Sequence, residues 1–178
     1  MKAMPRRSLA RRQPSPNLLR NIRLFATDVD GVLTDAGMYY SESGDEWKKF
    51  NTRDGMGIKL LQRAGLITAI VTQERTRLVA RRAEKLAIPE LHQGVMDKLS
   101  VIREMAARHG IALTQVAYIG DDVNDLDALK AVGFSAAPAD GLPQVLEAVG
   151  YVCSKKGGEG AVRELAEMIL EAQQGRRR

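Results

Sequence analysis

Apolar positions along this chain alternate between short continuous runs and longer periodic ones. IRLFATD (22–28), LITAIVT (66–72) and QVAYIGD (115–121) are mostly apolar runs that end on polar residues, the pattern of parallel strands buried on both faces. Between them, GMGIKLLQRAG (55–65), ERTRLVARRAEKLA (74–87) and DKLSVIREMAARHG (97–110) repeat apolar positions at helical spacing. The first and last of these close on glycine, where a left-handed C-cap falls. The shorter units GFSAA, LPQVLEAVG and YVCS follow, and a final helix is expected over 160–172. Strands alternating with helices predict a doubly wound, mostly parallel α/β sheet, Rossmann-like in outline. GMYYSESGDEWKKF (37–50) breaks the rhythm. Two alternating runs there flank a Ser-Glu-Ser-Gly turn, which predicts a β-hairpin inserted after the first strand.

Length and composition bound this picture. The chain has 178 residues, 44% of them apolar, enough for one domain with a substantial core. No apolar run approaches the ~18 residues that cross a bilayer, and the N-terminus lacks the apolar stretch of a signal peptide, so a soluble cytoplasmic protein is expected. Cys153 is the only cysteine, which excludes an intrachain disulfide and a thiolate metal cluster. The formal charge of +5 suggests a nucleic-acid binder until its location is considered. Lys2, Arg6, Arg7, Arg11, Arg12, Arg20 and Arg23 stand in a segment with no acid, and removing them from the 27 basic residues leaves 20 against 22 acidic ones. The predicted organisation is therefore a disordered basic tail (1–20), one acidic domain (21–173) and a short basic tail (174–178), with no nucleic-acid partner.

The chemistry lies where strands end. DVDGVLTD (28–35) places Asp28 and Asp30 one residue apart at the end of a buried strand, and parallel sheets bind ligands just beyond such ends. Gly31 lets the chain turn tightly next to an anion. GDDVND (120–125) adds Asp121, Asp122 and Asp125 after another apolar strand. Carboxylates of this kind suit Mg²⁺, and two acidic clusters at neighbouring strand ends repel each other unless a cation lies between them. Thr72, ending a third strand, offers a hydroxyl to a phosphate oxygen, though a lone Thr at a strand end is more often a helix N-cap. Lys98 brings a positive charge near a helix start, though alone it reads as a surface lysine.

Taken in order, DxDGxxxD, Thr72, Lys98 and GDDxxD resemble the four-motif signature of haloacid dehalogenase-type phosphatases, and the resemblance spans about 22–171. It implies that Asp28 is the nucleophile and a Mg²⁺ ligand. Asp30 would protonate the leaving oxygen, then activate water, and bind Mg²⁺ through its backbone carbonyl. Thr72 and Lys98 would hold phosphoryl oxygens, and Asp121 would coordinate Mg²⁺ directly. Asp122 and Asp125 would act through waters or by orienting Lys98. There is no room for a cap domain between 35 and 72 or between 72 and 121. A capless chain with this hairpin, NTRDGMGIKLL (51–61), QGVMDKL (93–99) and GGEGAVREL (157–165) resembles the phosphatases of 2-keto-3-deoxy sugar acid phosphates. That subfamily acts on 3-deoxy-D-manno-octulosonate 8-phosphate or nonulosonate 9-phosphates. The resemblance further implies a homotetramer whose hairpins form a shared barrel and whose neighbouring subunits cover each site. It makes Arg53, Asp54 and the GGEG segment candidates for the pocket, although the glycines also read as a turn before the last helix.

Thr72-Gln73-Glu74-Arg75 departs from the Gly-Arg that follows this Thr in octulosonate enzymes. ERTRLVARRAEKL is closer to the nonulosonate members, which implies substrate contacts from Glu74, Arg82 and Lys85. The same residues also read as a charged, solvated helix face. Two other readings stay open: a non-catalytic tetramerisation domain related to those of sialic acid cytidylyltransferases, and a generic small-phosphate phosphatase.

Overall fold

The computed structural model describes residues 13–175. In chain order its elements are α1 (Pro16–Arg20), β1 (Leu24–Thr27), β2 (Tyr39–Tyr40), β3 (Glu46–Trp47), α2 (Thr52–Arg63), β4 (Ile67–Val71), α3 (Arg77–Leu86), β5 (Glu90–His92), α4 (Lys98–Arg108), β6 (Val116–Ile119), α5 (Leu126–Ala131), β7 (Phe134–Ala137), α6 (Pro143–Ala148), β8 (Tyr151–Val152) and α7 (Ala161–Gln174). Six strands form one sheet in the order β5-β4-β1-β6-β7-β8, with every neighbouring pair parallel. The chain moves outward through β4 and β5, then returns to the other side of β1 and moves away through β6, β7 and β8. The reversal falls between β1 and β6. β2 and β3 pair antiparallel as the expected hairpin.

The alternation of side chains along each strand explains why both faces carry helices. Phe25, Ile70 and Ile119 point to one side and pack with Ile58 and Leu61 of α2 and Leu165 and Ile169 of α7. Leu24, Ala26, Val71 and Tyr118 point to the other and pack with Ile102 and Met105 of α4, Leu129 of α5 and Val145 of α6. Each large aliphatic or Phe side chain buried this way contributes roughly 1.5–3 kcal/mol.

Helix starts are set by side chains that the apolar periodicity does not reveal. Asn51 accepts from Arg53 N at 2.8 Å, so α2 begins ahead of the expected 55. Thr76 accepts from Val79 N at 3.2 Å and delays α3 to Arg77. Such caps satisfy N–H groups that the helix leaves unpaired. Gly65 and Gly110 close α2 and α4 at positive φ, as expected, but α3 closes on Ala87 at φ 53°.

The ends of the domain differ from expectation. Residues 1–12 and 176–178, which carry most of the basic tail positions, lie outside the described residues. The stretch 13–20, expected to be disordered, instead carries α1. Ser15 caps it, accepting from Leu18 N at 3.2 Å, Pro16 supplies a preset first turn, and Leu19 is buried. Arg20 Nε donates to Ala172 O at 3.0 Å, fixing α1 against α7, which runs past the expected 172 to Gln174. No helix among the described residues is long and apolar enough to cross a membrane.

The GGEG segment braces the loop after β1. Gly158 N donates to Val32 O at 2.9 Å, and a Cβ on Gly157 would sit 1.9 Å from Gly31 O. Backbone therefore meets backbone, and an alanine must push the Asp28–Gly31 turn aside. Gly157→Ala is expected to cost about 1–3 kcal/mol of stability, the usual penalty for forcing atoms into a filled space, which thermal unfolding beside wild type checks.

Edge strand β5 is tied to the end of α4 through Glu90, which bonds His109 Nε2 at 2.7 Å, Arg108 Nη2 at 2.8 Å and His92 Nε2 at 2.9 Å. Burial alone would raise the Glu90 carboxyl, but these three partners override it and hold the carboxyl at about 2. A depressed carboxylate stabilises the fold above its ordinary value near 4.5 and loses that contribution as pH falls toward about 2. The difference in thermal midpoint between wild type and Glu90→Gln should therefore shrink steadily as pH falls below 4.5, as thermal melts across that range will show.

Candidate active site

The reversal of strand order leaves a crevice beyond the C-terminal ends of β1 and β6, the place where open α/β sheets bind ligands. Asp28 follows β1 directly, its N–H donating to Ile119 O at 3.0 Å. Asp121 follows β6 after Gly120. Asp28, Asp121 and Asp125 each offer an oxygen within 4.8 Å of the other two. Glycine makes this convergence possible: a Cβ on Gly31 would lie 2.0 Å from Asp121 Oδ2, and one on Gly120 would lie 2.4 Å from Asp125 Cγ. Gly31 also adopts φ 77°, a conformation that costs other residues strain.

Lys98, at the first position of α4, is almost wholly buried. Its Nζ donates to Asp28 Oδ2 at 2.7 Å and to Asp125 Oδ1 at 2.6 Å. Asp125 is fully taken up by the protein: Tyr118 Oη donates to the same Oδ1 at 2.5 Å, and the Asp121 and Asp122 amides donate to Oδ2 at 3.0 and 3.2 Å. Asp125 thus orients Lys98 and shapes the loop that carries Asp121. Asp121 Oδ1, by contrast, is buried without a hydrogen-bond partner among the described residues.

The electrostatics follow from that imbalance. Burial pushes the Asp28 carboxyl up to about 7, the charge of Asp125 pushes the same way, and Lys98 opposes both. Burial, then the charges of Asp28, Asp125 and Asp122, push Asp121 up to about 8. Burial would lower Lys98, but Asp28 and Asp125 outweigh it and hold the ammonium above its usual range. A buried carboxylate oxygen with no donor, beside two more carboxylates and one ammonium, fits a hard divalent cation. Asp28 and Asp121 would hold it.

The other expected residues divide into those at the pocket and those away from it. A cavity of about 340 Å³ is lined by Asp28, Asp30, Thr72, Gln73, Glu74, Asp121, Asp122 and Asn124, among others. Asp30 does not join the three converging carboxylates; its Oδ1 accepts from Lys48 Nζ at 2.5 Å. The Asp122 side chain accepts from Val123 N through Oδ1 at 2.6 Å while still lining the cavity. Asp54, expected at the substrate, is fully buried and accepts from Gly160 N at 3.2 Å and Arg163 N at 2.9 Å. It caps α7 from across the fold and is not available to a ligand. Arg82 donates to Asn51 O at 2.8 Å and lies over the Phe50 ring at 5.4 Å, filling the seam between α2 and α3. Arg53 and Lys85 are exposed and outside the pocket wall. Of the five expected substrate contacts, Glu74 alone lines this pocket.

Sequence reasoning missed Lys48, Tyr118 and Asn124. Tyr118 had a usable signal, since a tyrosine in an otherwise apolar buried strand needs a partner for its hydroxyl. Asn124 Nδ2 donates to Gln73 Oε1 at 2.9 Å across the mouth. Lys48 lies in the hairpin, where the alternating pattern alone assigned it no role.

Comparison with known proteins agrees with this geometry. Residues 83–165 match the family model of haloacid dehalogenase-like hydrolases. A 3-deoxy-D-manno-octulosonate 8-phosphate phosphatase of Yersinia pestis is 46% identical over 153 residues, covering 86% of this chain and 82% of the relative. The crystal structure of the Moraxella catarrhalis 3-deoxy-D-manno-octulosonate 8-phosphate phosphatase, in complex with magnesium, phosphate and KDO, superposes with a TM-score of 0.87 at 41% identity, covering 90% of this chain and 92% of that one. The cobalt-bound deoxy-D-mannose-octulosonate 8-phosphate phosphatase of Haemophilus influenzae gives 0.85 at 41% identity, covering 88% and 92%. From its strand-end carboxylates to its near full-length likeness to these enzymes, the chain belongs to the haloacid dehalogenase superfamily, among the phosphatases of 2-keto-3-deoxy sugar acid phosphates, and is a phosphoric monoester hydrolase.

Proposed function

We propose that this enzyme hydrolyses 3-deoxy-D-manno-octulosonate 8-phosphate with Mg²⁺ as cofactor. The observation that carries the reading is the Asp28–Lys98–Asp125 chain of hydrogen bonds beside the orphaned Asp121 oxygen, in a chain 46% identical to an enzyme of that name.

In this reading Asp28 attacks phosphorus, forming a P–O bond to its carboxylate while the bond to the sugar oxygen breaks. Asp30 gives a proton to the departing oxygen, and the sugar acid leaves as an alcohol. Water then attacks the aspartyl phosphate, Asp30 takes its proton, and Asp28 is released with inorganic phosphate. Lys98 offsets charge on the transferring group and keeps the nucleophilic oxygen aimed. Thr72 offers its hydroxyl to a phosphoryl oxygen. Mg²⁺, held by Asp28, Asp121 and the Asp30 carbonyl, would neutralise negative charge that otherwise repels a phosphate dianion.

Nonulosonate 9-phosphates are the second reading, favoured by Glu74 in the pocket wall. We further propose a homotetramer. The hairpin exposes Tyr39, Tyr40 and Trp47, an apolar face suited to a neighbouring subunit. Arg53 and Lys85 are exposed and lie outside this subunit's pocket, and would meet substrate only where a neighbour presents them.

Turnover of octulosonate 8-phosphate should exceed that of nonulosonate 9-phosphates and hexose phosphates with Mg²⁺ present, and Asp28→Asn should abolish it. A hexose phosphate turned over faster would defeat the substrate assignment, and wild-type turnover equal to the variant's would favour a non-catalytic assembly domain.

Metal removal has its own signature. A carboxyl raised in the fold stabilises below its ordinary value near 3.8 and costs stability as pH rises through its folded value, here about 7 for Asp28 and about 8 for Asp121. In chelator the thermal midpoint should therefore fall as pH rises through that window, and Mg²⁺ at 100 times its dissociation constant should restore about 2.7 kcal/mol. Asp121→Asn should raise stability in chelator yet remove the response to Mg²⁺, as calorimetry on both forms would record.

A further inference from the structure

The hairpin reaches the active site through one side chain. Along β3 and beyond, alternation sends Trp47 outward and Lys48 inward: Trp47 is more than half exposed, while the Lys48 side chain is wholly covered. Lys48 Nζ donates to Asp30 Oδ1 at 2.5 Å and to Glu74 Oε2 at 2.6 Å. The hairpin itself is fixed to the loop after β1. Thr34 bridges Phe50, and Asp35 accepts from Tyr39 Oη at 2.8 Å and Lys49 Nζ at 3.3 Å. Lys48 therefore stands on a base tied to the segment that carries Asp30.

A surface lysine gains little from such a pair, because water screens it and the long side chain loses rotamer freedom. Covered as it is, this ammonium instead determines where the Asp30 carboxyl rests. It engages one oxygen of the carboxyl only. Glu74, from the loop after β4, holds the ammonium from its other side and stops it from turning with the hairpin.

We propose that Lys48 is a positioning residue for Asp30: by occupying Oδ1 it leaves Oδ2 as the oxygen that passes the proton to the leaving group. This rests on the acid–base role assigned to Asp30 above. The chemistry is balanced within that step. The P–O bond to the leaving oxygen breaks with its electron pair on oxygen, and the proton on Oδ2 moves to that oxygen. Lys48 neither gains nor loses a proton.

Leaving groups differ in how much they need that proton, and this makes the inference testable without reference to any sugar acid. p-Nitrophenolate departs readily unprotonated, whereas phenolate benefits more from a donor. Asp30→Asn should lower kcat/KM for phenyl phosphate about a hundredfold more than for p-nitrophenyl phosphate, in the range general acids supply. Lys48→Met should show the same bias at about tenfold, mainly in kcat, and Lys48→Arg should regain most of the loss. Should Lys48→Met not fold, as judged by circular dichroism, Lys48→Gln carries the same test. Loss of equal size on both esters in the Lys48 variants, with the bias intact in Asp30→Asn, would overturn the inference alone. Absence of the bias in Asp30→Asn would overturn the role of Asp30 and the inference together. Sugar acid specificity could fail in its own assay and leave both standing.

Discussion

Asp28, Asp121 and Asp125 converge at one point of this fold, and Lys98 balances only part of their charge. Two unit charges about 4 Å apart interact by about 4 kcal/mol at an effective dielectric of 20, so each additional buried carboxylate is a liability on the scale of a domain's whole stability. The protein meets two of the three with one ammonium: Lys98 joins Asp28 to Asp125, and Tyr118 with two backbone amides saturates Asp125. Asp121 is left with a bare buried oxygen. That deficit makes the site receptive to a cation and to the phosphate such a cation accompanies.

Holding such a point together falls to the scaffold. β1 and β6 are hydrogen-bonded neighbours, so two acidic loops leave the sheet side by side without any freedom to separate. Glycines at 31, 120 and 157 remove the side chains that would block close approach. Asp54 then ties the start of α7 to α2, which keeps the GGEG segment against the loop after β1. The active-site geometry thus depends on contacts from the first strand, the middle of the chain and the last helix together.

Much of this was legible in the sequence because it follows from local pattern. Apolar runs ending in DVDG and GDDVND gave the strands, the side of the sheet and the carboxylates, and Thr72 and Lys98 were found by the order in which they follow. Helix starts were missed where Asn51 and Thr76 cap beyond the apolar period. Charged residues were harder to place. Asp54 and Arg82 carry the look of binding groups, yet Asp54 caps a helix a hundred residues away and Arg82 seals a seam between two others. Lys48, set in a hairpin of polar and aromatic residues, takes no role from the alternating pattern until the hairpin folds over the site. In each case the deciding partner is distant in sequence, and periodicity carries no information about it. α1 was misjudged for a different reason: with Ser15, Pro16 and Leu19 as its whole signal, it is stabilised by docking on α7 and not by its own propensity.

The brace formed by Gly157 and Gly158 has a consequence for how the protein comes into being. A chain emerging from the ribosome exposes the Asp28 loop early, and the three central strands can begin to associate before the glycine segment has been made. During that interval the loop lacks the backbone that presses on Gly31, so a half-made molecule carries all the chemically reactive side chains without their working geometry. The packing of backbone on backbone around Gly31 is therefore complete only once the segment near residue 157 has been made.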